Sequence, residues 1–525
     1  MVIAPLASHP RGSIYLATSK FQPTYARQAF PCFDEPSFKS TFSVSLVHEK
    51  EYTALSNMPE EITEPVPNTD LFVTRFKKSV PMVTYLACFI VCDFEYKATT
   101  TASGKPFRVY SVPHLVNTTS YALEVGSKGD ESSVRPKQVS PQDQQRVAEV
   151  IAHEMTHMWF GNLVTMDWWD DLWLNEGFAS YMEYKGVDHC HPEWKAMSRL
   201  ITTDLQPVMN ADSSFNSHPI VQRVGHPDEI TEIFDRISYA KGASILRMLE
   251  FFSGKEKFRI NISAGRDIFS IMRTWTEQMG FPYVTIKRKS VNSTSFVVKQ
   301  NRFLKNEELW RTEIIFPVKN SDWIKFNVNQ TGYYLVNYEE EGWQKLIDLL
   351  LTNHEALTPS DRSNLLFDSF LLAQAGYIEL DVFMSMSVYL KKETDVTLLW
   401  LTASACFTRF ADWVENTEAS LLLKSYVSGL TDDLYKKLGW TASDSHTENL
   451  LRTTILNLAC GADHQDCLDQ VSQLFKNWTQ GGEKSTSLHN LVLKYGISSA
   501  STEDDWNHMW NKYLTEHSPV EKQLI

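Results

Sequence analysis

HEMTH (His153 to His157) and WLNEGFAS (Trp173 to Ser180) are the stretches on which the reading of this chain turns. Residues four apart lie on one face of a helix, so His153 and His157 can hold one ion between them. Two imidazoles and a carboxylate leave a fourth zinc position open to water, the arrangement of a catalytic rather than a structural site. Glu154, beside the pair, is the group placed to take a proton from that water. The longer pattern with a glycine and a third histidine does not apply, because Phe160 stands where that glycine would be. The third ligand is therefore expected from Glu176, on a second helix. A bare HExxH also arises by chance, so the surrounding sequence has to decide. It specifies a helix: Ser140 as N-cap, Pro141 at N1, Asp143 in the first turn, an apolar stripe of Val147, Val150, Ile151 and Met155, and Gly161 as the stop. Asn175 to Gly177 then fall at the start of the second helix.

The run HEMTHMWFGNLVTMDWWDDLWLNEGFASYMEY (His153 to Tyr184) resembles the gluzincin zinc aminopeptidases, the exopeptidase family of aminopeptidase N, aminopeptidase A (glutamyl aminopeptidase) and the oxytocinase group. QAFPCFDEPSFKSTF (Gln28 to Phe42) and YTALSNMP (Tyr52 to Pro59) are similar to its N-terminal domain. ISYAKGASILRMLE (Ile237 to Glu250) is similar to its catalytic tyrosine segment. TGYYLVNYEEEGW (Thr331 to Trp343) and SDRSNLLFDSFLLAQAG (Ser360 to Gly376) resemble its later parts. The wording around the zinc helices is nearest to aminopeptidase A.

The resemblance implies a multidomain α+β chain: an N-terminal β-sandwich, a thermolysin-like zinc catalytic domain, a small β-sandwich and a C-terminal helical solenoid. It implies one zinc ion on His153, His157 and Glu176, a water activated by Glu154, and Tyr239 stabilising the oxyanion. The reaction it implies is removal of N-terminal residues from peptides. Glu183, two turns beyond Glu176 on the same face, either orients a ligand histidine or makes a surface salt bridge; both readings stay open. Gln22 matches a position that helps bind the substrate amine in relatives, a glutamate in aminopeptidase A and a glutamine in aminopeptidase N. Tyr25 stands where relatives often have an aspartate, which in aminopeptidase A bears on calcium and acidic substrates; acidic specificity is therefore not expected. The resemblance also implies peptide substrates, the homodimer of relatives, and a cell-surface or extracellular location.

A net charge of −14 and a pI near 5.6 argue against nucleic acid as a partner. Solubility is the plainer meaning of that charge. An apolar content of 43% and 15 tryptophans provide ample core. Of the seven cysteines, Cys460 and Cys467 in ACGADHQDC resemble a disulfide of cell-surface members, against two reduced core thiols as the alternative. Cys32, Cys88, Cys92 and Cys406 are expected buried in apolar strands or helices. Five glycosylation sequons occur, at Asn117, Asn261, Asn292, Asn329 and Asn477. MVIAPLASHPRGSIYLATSKF shows no secretory signal or anchor, and no stretch approaches the roughly 20 apolar residues of a membrane span.

Alternating runs such as STFSVSLV and LFVTRFKKSV predict a β-rich domain over residues 1–97, part of the family's first domain. Residues 98–279 hold the zinc helices. Residues 280–337 read again as short strands, as in FPYVTIKRK and SDWIKFNVN. Helices are predicted from 338 to 525, for example WQKLIDLLL, SNLLFDSFLLAQAG, ENLLRTTILNLAC and CLDQVSQLFKNW, as part of a solenoid. The chain is expected to begin inside the first β-domain and to stop inside a helix near Glu521 to Ile525. One departure is internal. The family's glycine-x-methionine-glutamate-asparagine motif, whose glutamate holds the substrate's α-amino group, does not occur in the sequence. The contraction is expected near Gly129 and Asp130, with a second after Phe258.

Overall fold

The computed structural model describes residues 2–6, 14–127, 140–260, 268–290, 295–303, 312–317, 322–393, 395–482, 488–500 and 502–515. They fall into two compact units. The first comprises residues 1–137, 144–190 and 220–243, the second residues 138–143, 191–219 and 244–525. The contraction expected near Gly129 and Asp130 lies outside the described residues, as do residues 261–267 of the one expected after Phe258, Asn292 and residues 516–525.

The first unit opens with strands: β1 (Val2–Leu6), β2 (Ile14–Thr18), β3 (Ser45–Glu49), β4 (Thr53–Ser56), β5 (Glu60–Pro65), β6 (Leu71–Phe76), β7 (Phe89–Cys92), β8 (Glu95–Thr100) and β9 (Pro106–Ser111). They form antiparallel sheets in the orders β1-β2-β7-β4, β3-β6-β5 and β8-β9. Helices α1 (Ser120–Ser127), α2 (Pro141–His157) and α3 (Trp173–Cys190) follow. A core of Phe21, Met82, Val83, Tyr85, Met166, Trp169, Leu172, Ile230 and Ile233 joins the strand region to the segment entering α3. Trp169 is fully buried against Tyr85, ring centroids 5.1 Å apart, and donates its indole N–H to the Asp34 carbonyl.

In the second unit β10 (Phe281–Arg288), β11 (Ser295–Phe303), β12 (Thr312–Pro317) and β13 (Leu335–Tyr338) form a sheet ordered β12-β11-β10-β13. β13 runs parallel to β10. FPYVTIKRK is thus the strand its pattern predicts, but SDWIKFNVN is not. From Asp322 it runs as coil into a 3₁₀ turn at Val328–Gln330. Asn327 and Asn329 take left-handed conformations, φ 56° and 57°, which no strand accommodates. The buried Lys325 ammonium turns inward to the carbonyls of Phe326 and Asn327 and to Asn364. The place beside β10 goes to β13.

The helix-dominated end follows the apolar periodicity: the four predicted segments lie in helices Glu340–Asn353, Pro359–Gln374, His446–Gly461 and Gln465–Thr479. Pro359–Gln374 is buried on nearly every side and is capped by the Thr358 hydroxyl. Its Arg362 forms a buried bidentate pair with Glu393, at 2.7 and 2.8 Å. Cys92 and Cys406 are buried as expected, and burial pushes the Cys406 thiol up to about 12. Cys32 and Cys88 differ: they lie in loops and are only partly buried. Among the described sequons, the Asn117 and Asn477 side chains are exposed, whereas Asn329 is half-buried and accepts from the Thr358 hydroxyl.

Cys460 and Cys467 are joined in a disulfide. It links the last turn of helix His446–Gly461 to the first turn of Gln465–Thr479. A loop this short constrains the unfolded chain by about 2–3 kcal/mol. Replacing both cysteines by alanine is expected to lower the unfolding free energy by that amount. Urea unfolding would show it as a lower midpoint, and coincident midpoints would contradict it.

Candidate metal centre

Helix α2 starts where its capping signals place it. The Ser140 hydroxyl accepts from the Asp143 N–H at 3.1 Å, and Pro141 is the first helical residue. The predicted stripe is only partly a core face, since Val150 and Met155 are exposed. The buried positions of α2 are Pro141, Gln145 and Ala148, with Ala152 partly buried. Ala148 is fully buried, and a Cβ added to Gly186 of α3 would stand 3.0 Å from the Ala152 Cβ. Small side chains let α2 and α3 approach closely, so their larger neighbours are pushed to the flank.

That approach brings His153, His157 and Glu176 together, with their ligating atoms all within 4.8 Å of one another. Nε2 of His153 and Nε2 of His157 each lie 3.3 Å from Glu176 Oε2. Each ring is fixed from behind. His153 Nδ1 donates to Glu183 Oε2 at 2.8 Å, and His157 Nδ1 to the Phe160 carbonyl at 2.9 Å. A carboxylate and a carbonyl only accept, so both Nδ1 atoms carry hydrogens and both Nε2 atoms turn to the centre. Of the two readings of Glu183, the structure therefore shows the contact to a histidine.

Segment 158–172 is held by a polar strut. Tyr85 donates its hydroxyl to the Gly161 carbonyl and accepts from Asn175 Nδ2, both at 3.3 Å. Lys39 Nζ donates to the Asn162 carbonyl at 2.5 Å. Gly161 itself has φ +134°, a conformation costly for any residue with a Cβ. Tyr239 sits in a π-helical turn, Ile237–Lys241, whose first N–H groups are capped by Asp235 Oδ1. Its ring lies parallel to His153, centroids 6.0 Å apart. Gly177 and Gly242 make this possible: a Cβ on Gly177 would come within 3.1 Å of the Gly242 Cα and 3.2 Å of the Ser238 carbonyl.

The charges of the centre are tightly coupled. Burial alone would lower His153, but its hydrogen bonds to Glu176 and Glu183 push it up to about 9. Burial alone would raise Glu176, yet the two imidazoles pull it down to about 2. Burial pushes the Tyr239 phenol up, and the carboxylates of Glu176 and Glu154 add to it. Tyr239 therefore stays a neutral donor. Glu154 is exposed on α2.

The donor set fits zinc. At bond lengths of about 2.0–2.1 Å, tetrahedral ligands stand roughly 3.3 Å apart, and the Nε2-to-Oε2 distances match that edge. Gln22 is not at the centre. It lines a pocket of about 580 Å³ with Lys20, Tyr25, Gln28, Phe234 and Tyr239. Lys20, a charged side chain of that lining, was not legible in the sequence, because nothing local marks an exposed lysine as facing a pocket. Tyr85 and the Phe160 carbonyl were equally silent: one acts from a distant loop, the other is backbone.

Comparison with known proteins identifies the class of this centre. Residues 132–279 match the peptidase family M1 domain, residues 9–86 the peptidase M1 N-terminal domain, and residues 323–525 the ERAP1-like C-terminal domain. Aminopeptidase A of Gloydius brevicauda is 34% identical over 606 positions, covering 97% of this chain and 63% of that protein. Glutamyl aminopeptidase of Mus musculus is 34% identical, covering 97% of this chain and 64% of its own length. Endoplasmic reticulum aminopeptidase 1 of Homo sapiens is 30% identical, covering 66% of its own length. The chain belongs to the peptidase M1 family. It spans just under two thirds of the length of these relatives. The 606 aligned positions exceed the 525 residues of the chain, so relatives carry residues within the aligned span that this chain lacks.

Two outcomes test the centre. One zinc per folded chain is expected, with His153→Phe or Glu176→Ala each abolishing stoichiometric binding in metal analysis. At pH 7 His153, held near 9, carries a proton that a metal must displace. Zinc binding is therefore expected to release protons and to tighten as pH rises toward 9. Calorimetry in buffers of different ionisation enthalpy would show it; a buffer-independent heat would contradict it. Separately, Gly177→Val is expected to destabilise the fold by roughly 1–3 kcal/mol through overpacking. Thermal unfolding would report it as a lower midpoint. A neutral effect would mean the glycine contact is not tight.

Proposed function

We propose that this chain is a zinc-dependent aminopeptidase of reduced turnover, acting on the N-terminal residue of peptides. The observation that carries the hydrolytic part is the convergence of His153, His157 and Glu176 beside Glu154 and Tyr239. Zinc held there would polarise the scissile carbonyl and supply a nucleophilic water near neutral pH. Glu154 would take the proton of that water and pass it to the leaving amine. Tyr239, kept neutral, would donate its phenolic hydrogen to the oxygen on which charge develops. Glu183 and the Phe160 carbonyl would hold the two imidazoles in one orientation throughout.

Amine recognition supports only a weak exopeptidase. The pocket beside Tyr239 would take the N-terminal residue. Its Gln22 offers a neutral carbonyl to the substrate ammonium, and charge-assisted hydrogen bonds are roughly twice as strong as neutral ones. Lys20 puts a like charge in the same lining. The motif glutamate that would offset both is absent from the sequence. The same observations favour a second reading, a zinc-binding relative that holds peptides without turnover. Peptides as partners, a homodimer and a cell-surface or extracellular setting follow from the family, glycosylation at Asn117 and Asn477 from the sequons, and domain limits at 97, 279 and 337 from the sequence pattern; all belong to this proposal. Among the described residues no helix is long and apolar enough to cross a membrane.

Zinc-loaded protein assayed on aminoacyl anilides is expected to turn over roughly 100-fold or more slowly than a full-length relative, since each 1.4 kcal/mol of lost transition-state binding is about tenfold. Glu154→Gln should remove what remains. Turnover equal to the relative would refute the reduced-activity reading. Bound zinc with no Glu154-dependent hydrolysis would establish the second one.

A further inference from the structure

Two of the candidate zinc ligands are held through residues beside them, and both supports end on one side chain. His157 Nδ1 donates to the Phe160 carbonyl, and the carbonyl of the next residue, Gly161, accepts from the Tyr85 hydroxyl at 3.3 Å. Glu176 follows Asn175, whose Nδ2 donates to the same hydroxyl at 3.3 Å. A phenol has one hydrogen to give and lone pairs to receive. The Gly161 carbonyl can only accept, so the Tyr85 hydrogen goes there and its oxygen is left for Asn175. A single hydroxyl thus ties the loop after α2 to the first turn of α3.

The loop transmits what is done to it. The Gly161 N–H donates to the Val164 carbonyl and the Val164 N–H to the Trp159 carbonyl, each at 2.8 Å. Residues 159–164 are therefore closed on themselves, and Gly161 cannot shift without Phe160. Lys39 Nζ holds the far side of the same loop, at the carbonyls of Asn162 and Leu163, 2.5 and 3.4 Å away. Tyr85 has little freedom of its own. It belongs to a 3₁₀ turn, Thr84–Leu86, whose Thr84 hydroxyl donates to the Phe33 carbonyl at 2.9 Å. Its buried ring packs on Trp169.

We propose that Tyr85 is a positioning residue for the metal centre, its hydroxyl fixing both the Phe160 carbonyl behind His157 and the turn of α3 that carries Glu176. The inference rests on His153, His157 and Glu176 being the zinc ligands. It adds that a side chain from the strand region of the first unit sets how tightly, and in what geometry, the metal is held. Outer partners of ligating groups typically change metal affinity 10–100-fold. Tyr85 acts one residue further out, so the lower end of that range is expected. A tyrosine that only filled the core would change stability and leave the metal alone.

Tyr85→Phe removes the hydroxyl and keeps the ring on Trp169. The 525-residue chain and this variant are compared by competition for zinc with a chromophoric chelator. After substitution with cobalt(II), visible absorption reports the coordination geometry. Zinc bound about tenfold more weakly and shifted cobalt bands are expected. Tyr333→Phe is the control, since it removes another buried tyrosine hydroxyl bond, to Asp212 at 3.2 Å in the second unit. It should lower the thermal midpoint and leave both metal readouts unchanged. If Tyr85→Phe does not fold, Lys39→Met releases the same loop from a partly buried side chain and should show the same two changes. Unaltered zinc affinity and cobalt bands in folded Tyr85→Phe, or in Lys39→Met where that variant carries the test, would overturn the assignment. Equal losses in Tyr333→Phe would overturn it too. A wild-type chain that binds no zinc would overturn the ligand reading itself, and this inference with it.

Discussion

The centre depends on close backbone approach. Gly177 of α3 lies against Gly242 and the Ser238 carbonyl, and Gly186 of the same helix against Ala152 of α2. A Cβ at either glycine would stand only 3.0–3.1 Å from its nearest neighbour, which would have to give by a few tenths of an ångström. They set the distance at which a carboxylate on one helix reaches two imidazoles on another, and at which a tyrosine from a third segment lies over one of them. Long side chains at these crossings would move ligands by ångströms. Since interiors are packed near crystal density, no neighbouring gap would absorb the change.

Closeness alone would be unfavourable, because it buries charge. Glu176 is buried, and an isolated carboxylate there would be neutralised. It is held ionised by two histidines, themselves held by Glu183 and by a main-chain carbonyl. The result is a charge network satisfied outward, with its Nε2 and carboxylate atoms turned inward. A divalent cation would replace protons in such a network rather than create order from nothing. The Tyr85 strut extends the same principle to the loop between the helices, converting buried polar groups into spacers.

What the sequence disclosed follows from which forces are local. Capping at Ser140, the four-residue spacing of His153 and His157, and the apolar periodicity of the late helices act within a turn or two, and all are found as read. SDWIKFNVN misleads because its alternation is a strand's, whereas the burial of Lys325 and the left-handed asparagines are dictated by residues far along the chain. The stripe on α2 misleads in the opposite sense: period identifies a helix, but its buried positions are Pro141, Gln145 and Ala148, which hydrophobicity ranks low. The π turn carrying Tyr239 has no local signature beyond its family wording. Lys20 matters only through a pocket, which is a property of an assembled surface.

The candidate metal centre and the proposed amine pocket differ in how tightly they are bound to the fold. The three candidate ligands sit on two packed helices whose own core would suffer if they moved. Lys20 and Tyr25 are exposed on the segment after β2, where a substitution costs the fold little, whereas Gln22 is partly buried between Phe21 and Pro23. A chain can therefore change its amine pocket while its metal centre remains geometrically whole. The asymmetry separates hydrolytic competence from substrate choice. It also means that an intact HExxH centre is, by itself, weak evidence for specificity, since the residue proposed to meet the substrate ammonium, Gln22, lies on a different segment.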